Sequence, residues 1–165
     1  MGLQNIIVQK LMDLNLKLGI IETSTNGMIC SNFAINTNYE KVFKVGFVLN
    51  DPSLFYKFNI DENTKFLSQI NARKLAKYLK NEFDCDLVLS VLSTSNDLDL
   101  KEIKDLNINI ENKNNPNGHA FISILVVDKY TDFELQFKSS DELRDRLLIT
   151  NKALNELLSV VLKLK

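Results

Sequence analysis

Leu16-Lys17-Leu18-Gly19-Ile20-Ile21-Glu22-Thr23-Ser24-Thr25-Asn26-Gly27 runs directly into the apolar stretch Met28 to Ile35. Leu18 to Ile21 is short, apolar and bounded by polar residues, as a buried strand requires, whereas the stretch from Met28 suits a helix. The order strand, polar turn, helix predicts an α/β unit. In an open α/β sheet, ligands gather outside the carboxyl ends of the strands, where Glu22 to Gly27 must lie. Backbone N–H groups and hydroxyls at the start of a helix bind anions such as phosphate. Thr23, Ser24 or Thr25 would serve equally well as a plain N-cap, and both readings stand. The turn is neither Gly-x-x-x-x-Gly-Lys nor Gly-x-Gly-x-x-Gly.

Working outward, Leu3 to Leu16 carries apolar residues at 3, 6, 7, 11 and 14, a helical spacing. Val42 to Leu49 is rich in strand formers and stops at Asn50-Asp51-Pro52, a turn sequence. From Thr64 to Phe83 one apolar stripe predicts a helix capped by Asn63 or Thr64. Asp86 to Leu92 reads as a fully buried strand. Ser93 to Gly118 is a long polar loop with room for a short helix or an extra strand over Leu98 to Ile110. His119 to Val127 and Phe133 to Phe137, joined by Asp128 to Asp132, predict a hairpin. Ser139 and Glu142 form a capping-box pattern ahead of a last helix that ends near Lys163 and Lys165. These elements predict one domain over residues 1–165, an α/β fold with three layers, α/β/α, and a mixed sheet. Leu18, Ile20, Val45, Phe47, Val88, Val91, Ile122, Ile124, Leu147, Leu154 and Leu158 are its expected core.

Composition narrows the function. The chain has 165 residues, of which 45% are hydrophobic and 25% charged, which excludes a disordered chain or a coiled coil. Twenty basic residues against 21 acidic ones leave a net charge of -1, so nucleic acid and anionic membranes are not expected partners. No apolar run approaches the ~20 residues that span a bilayer, and residues 1–10 do not read as a signal peptide. A cytoplasmic protein is expected. Cys30 and Cys85, far apart and without Cys-x-x-Cys, read as structural thiols. Asp97, Asp99, Glu102 and Asp105 lack EF-hand spacing, so no metal is expected there.

Glu22 to Gly27 with the residues before it resembles the Glu-Ser-Cys/Thr-Thr-Gly-Gly segment of the CinA C-terminal domain family. The likeness recurs in order along the chain. Val42 to Val48 resembles the strand entering the family's Tyr-Ser-Asn-x-x-Lys. Ser68, Ala72 and Leu75-Ala76 are similar to Val-Ser-x-x-x-Ala-x-x-Met-Ala, and Asp86 to Val91 to the strand before Thr-Gly-Ile-Ala-Gly-Pro. Pro116 to Ile122 is similar to Pro-Val-Gly-Thr-Val-Tyr-Ile, and Phe137 to Arg144 to Phe-x-Gly-Asp-Arg-Glu-x-Val-Arg. The resemblance implies a nicotinamide-mononucleotide deamidase, an amidohydrolase that releases ammonia and uses no cofactor. It also implies a homodimer, with that mononucleotide or a similar nucleotide as ligand.

Carried over residue by residue, the resemblance places Thr23 at the family's serine and Ser24 beside it as the candidate nucleophiles. Thr25, Asn26 and Gly27 would supply N–H donors to phosphate or to an oxyanion, and Arg144, matching the second arginine of the last motif, an anion contact. The family's Tyr and Lys fall on Asn50 and Phe55, or one place earlier if the deletion after this strand is put before them, with Lys57 just beyond as a substitute base. His119, the single histidine, replaces the family's Thr after Gly118 and has the chemistry of a base near neutral pH. Leu92-Ser93-Thr94-Ser95 replaces Thr-Gly-Ile-Ala-Gly-Pro, and Ser140 the first arginine. Two functions therefore compete. One is the amidohydrolase, with a Lys57 or His119 nitrogen bonded to the Thr23 or Ser24 hydroxyl. The other is a catalytically inactive relative that binds a nucleotide or a protein.

Overall fold

A computed structural model describes residues 2–61, 65–93, 117–139 and 141–165. The expected caps Asn63 and Thr64, the expected elements over Leu98 to Ile110, the acids at 97, 99, 102 and 105, and Ser140 lie outside the described residues. The strand that begins the quoted stretch is β1 (Leu18–Glu22), and all five of its residues are buried. A strand with no exposed position belongs in the middle of a covered sheet. It lies there, flanked by β2 (Phe43–Val48) and β3 (Leu87–Ser93), both parallel to it. β4 (Gly118–Val126) and β5 (Lys129–Phe137) continue antiparallel, and the order among the described residues is β2-β1-β3-β4-β5. The mixed sheet of the sequence reading is thus present.

Side-chain alternation along these strands builds two cores. Leu18, Ile20, Leu87, Leu89, Val91, Ile122 and Ile124 face one layer, made of α1 (Leu3–Asp13), α2 (Met28–Ala34) and α4 (Glu142–Val161). Ile21, Val88, Leu92 and Leu125 face the other, made of α3 (Gln69–Phe83) and the 3-10 turn Pro52–Phe58. Asp51 caps that turn by accepting the Ser53 N–H at 2.9 Å, which gives the Asn50-Asp51-Pro52 signal its local cause.

Several boundaries differ from the sequence reading. α3 starts at Gln69, with the Ser68 hydroxyl accepting the Asn71 N–H. The buried Asn71 carboxamide donates to the Lys65 and Phe66 carbonyls and holds that segment off the helix axis. β5 starts four residues earlier than expected because the hairpin turns at Val127-Asp128, with Val127 at φ 56°. α4 is capped by Asp141, while the Ser139 hydroxyl donates to the buried Asp145 carboxylate, so the Ser139–Glu142 box is not used.

The expected core is buried at Leu18, Ile20, Val88, Val91, Ile122, Ile124 and Leu154, and half-buried at Val45, Phe47 and Leu158. Leu147 is a correction, being 47% exposed. It shares a helical face with Leu154, but the α4 residues packed with Ile7, Val8 and Leu11 of α1 begin only at Ile149.

Candidate functional site

At the carboxyl end of β1 the chain must leave a buried strand and start a helix, and Glu22 governs that corner. Its carboxylate is fully buried and accepts the Thr25 hydroxyl, the Ile29 N–H at 3.1 Å and the Cys30 N–H at 2.9 Å. A buried charge needs such partners, and the start of a helix provides them. Asn26 at φ 55° and Gly27 at φ 87° then bend the chain back, which a glycine at the second position permits without strain. Asn26 spends its N–H on the Thr23 carbonyl and Met28 on that of Thr25. Of the three anion donors foreseen here, the Asn26 N–H is engaged by the turn, whereas the N–H groups of Thr25 and Gly27 make no hydrogen bond among the described residues. Burial, and then the Glu22 carboxylate, push the Cys30 thiol up from its usual range.

Thr23 is 4% exposed. Its hydroxyl accepts the Ser93 N–H at 2.9 Å and lies 3.3 Å from the Val91 carbonyl, the better placed acceptor for its proton. The half-buried Ser24 hydroxyl sits 2.5 Å from the Ser93 hydroxyl. Arg146, from α4, donates its Nε–H to the Ser24 carbonyl at 3.1 Å and pairs with Glu142. The result is a belt of hydroxyls across the ends of β1 and β3, tied to α4 by one guanidinium.

The remaining sequence candidates lie elsewhere. Asn50 and Arg144 are exposed. Lys57 is exposed, with its ammonium 6.0 Å from the Tyr56 ring. His119 bonds Glu134 through Nε2 at 2.5 Å and stacks on Phe121 at 4.9 Å. The hydroxyls of Thr23 and Ser24 bond Val91 and Ser93, not Lys57 or His119. Phe55 is buried at 4% exposure and stacks on Phe66 with ring centroids 4.0 Å apart. Among the described residues no cluster of metal-ligating side chains occurs.

Arg146 is the member of this site that the sequence reading did not single out, and Ser93 entered that reading only within Leu92-Ser93-Thr94-Ser95, with no role of its own. The Glu142 to Arg146 spacing signals a helical pair, but nothing local signals a partner across the fold.

No protein-family model matches the sequence, nor does any curated protein. Solved structures do. The competence or damage-inducible protein from Enterobacter asburiae superposes with a TM-score of 0.81 at 16% identity, over 96% of each chain. A competence-damaged protein (CinA) superfamily protein from Enterobacter cloacae gives 0.81 at 15% identity, over 96% of this chain and 90% of that one. The competence/damage inducible protein CihA from Agrobacterium tumefaciens gives 0.80 at 14%, over 96% and 93%. The fold expected from the sequence resemblance is therefore the fold observed, that of CinA superfamily structures over nearly the whole chain.

Proposed function

We propose that this chain is a divergent CinA superfamily protein that keeps the scaffold and has lost amide hydrolysis, acting as a protein-interaction module. The carrying observation is the Thr23 hydroxyl. At the position that the resemblance gives to the family's serine, it is buried and bonded to the end of β3. A hydroxyl nucleophile must reach its substrate and must have a base to take its proton. The match to the family's Lys supports the same reading, because Phe55 points into the second core and the place before it holds Leu54, so neither offers an ammonium. A nucleotide ligand is less well supported than a protein, since Glu22 takes the N–H groups of Ile29 and Cys30 and the turn takes that of Asn26, which leaves only those of Thr25 and Gly27 for an anion. Leu143, Leu147 and Leu148, all exposed on the first half of α4, offer apolar surface beside Arg146. The first partner to test is a second copy of the chain, which the resemblance implies.

A second reading keeps the enzyme. The half-buried Ser24 hydroxyl, 2.5 Å from that of Ser93, would be its nucleophile. Ammonia release from nicotinamide mononucleotide by the purified protein separates the two, with Ser24→Ala alongside and calorimetric titration of the same nucleotide. The interaction reading predicts neither turnover nor binding, together with a dimer mass by light scattering. Turnover abolished by Ser24→Ala would replace it with the enzyme.

A further inference from the structure

A groove of about 300 Å³ opens between α1 and the chain leaving α2, away from the β1 turn. Its polar lining is neutral: Asn5 and Gln9 from one side, Asn36, Thr37 and Asn38 from the other. Asparagine is common throughout the chain, so its presence alone carries nothing. What the groups do is more telling. Asn36 donates to the Asn5 carboxamide oxygen at 2.5 Å and accepts the Asn38 N–H at 2.9 Å, which fixes the two walls relative to each other. Gln9 donates to Asp13 at 2.8 Å and so presents its own oxygen. The Asn38 carboxamide, the Thr37 hydroxyl and the Asn5 amide hydrogens make no hydrogen bond among the described residues. Ile35, 73% exposed and the most exposed large apolar side chain among the described residues, stands at the same groove.

We infer that this groove binds a short neutral segment of another protein, its backbone amide against the carboxamides and an aliphatic side chain against Ile35. A carboxamide presents one acceptor and two donors, the complement of a peptide's N–H and C=O. Ile35 then has an aliphatic surface to cover. A phosphate or carboxylate ligand would find no cation in the lining, so the groove favours a neutral ligand over a nucleotide. The inference does not depend on the function proposed for the β1 end, because the two share no residue.

The probe is N-acetyl-leucine methylamide, a neutral mimic of one peptide residue, titrated against the 15N-labelled full chain. The expected result is saturable shifts of the Asn5 and Asn38 side-chain NH2 signals. N-acetyl-leucine, which carries a carboxylate in place of the methylamide, should bind at least five-fold more weakly, as should the neutral probe to Asn38→Leu and to Ile35→Ser. Neither side chain is buried or bonded, so both variants should keep the wild-type amide spectrum elsewhere. Shifts that stay linear with concentration, that match for the two probes, or that survive both substitutions would overturn the inference.

Discussion

Thr23 and Ser93 are joined through backbone as well as side chain: the Ser93 N–H reaches the Thr23 hydroxyl at 2.9 Å, in the row where β1 has ended and β3 has not. The hydroxyl does for β3 what the next residue of a longer β1 would do. It gives a buried N–H its acceptor at the carboxyl end of the sheet. Thr23 is therefore a structural residue of the turn as this chain is folded.

Removing that hydroxyl while keeping the shape should show its worth. Thr23→Val leaves the Ser93 N–H without an acceptor, which costs about 1 to 3 kcal/mol for a buried donor. Thr23→Ser retains the oxygen and should lose much less. Urea unfolding of both variants measures the difference, and equal stability of the two would show that the bond contributes nothing.

Phe55 gives the second test. It stacks on Phe66 within the core formed by α3 and the Pro52–Phe58 turn. Phe55→Ala should cost about 3 to 5 kcal/mol, as truncation of a packed phenylalanine does. Phe55→Lys, restoring the residue type that the resemblance places there, should also destabilise, because its ammonium would enter an apolar site. A Phe55→Lys protein as stable as wild type would mean that the turn can present this side chain to solvent, and would reopen the enzyme reading.

These two residues also show what could be read before folding. The buried strand, the polar turn and the helix at Leu18 to Ala34 were legible because burial on both faces removes polar residues from a strand, and a turn restores them. The mixed sheet and its hairpin followed from such segments, but the strand order did not, since it depends on which buried strands pair across the chain. α3 was legible in its stripe but not in its start, since Asn71 bonds backward to Lys65 and Phe66, and no periodicity reports that. The candidate site was legible at Glu22 to Gly27 as a place. Its chemistry was not, because Thr23 and Ser24 are decided by Ser93 and Arg146, whose approach exists only once β3 and α4 have packed.

At low pH the β4–β5 hairpin should loosen through Glu134. The hydrogen bond from His119, helped by that from Gln136, holds the Glu134 carboxyl below the usual range. A carboxyl whose folded value is depressed stabilises the fold above its unfolded value, about 4.3, and loses this as pH falls through the folded value. Glu134→Gln should therefore differ from wild type at pH 6 and converge with it by about pH 3. The pair is partly exposed, so the difference should be small and fade in high salt. A difference that persists unchanged at pH 3 would assign the effect to packing of the side chain instead of its charge.

Cys30 offers a test of the Glu22 corner. Its thiol is pushed up first by burial and second by the Glu22 carboxylate, which takes the Cys30 N–H at 2.9 Å. Only the thiolate attacks a disulfide reagent, so Cys30 in the folded protein should react with an aromatic disulfide at pH 8 far more slowly than a free cysteine. Glu22→Gln removes the nearby charge but not the burial. Because burial is the larger cause, the rate should rise and still stay well below that of the unfolded chain. Cys85 supplies the internal control, since burial also raises its thiol while its charged neighbours are Lys44, Asp86, Asp84 and Lys80, not Glu22. A Cys30 rate in Glu22→Gln equal to that of unfolded protein, with Cys85 still slow, would mean that Glu22 holds α2 closed over the thiol. The carboxylate would then act on Cys30 by capping the helix rather than by its charge.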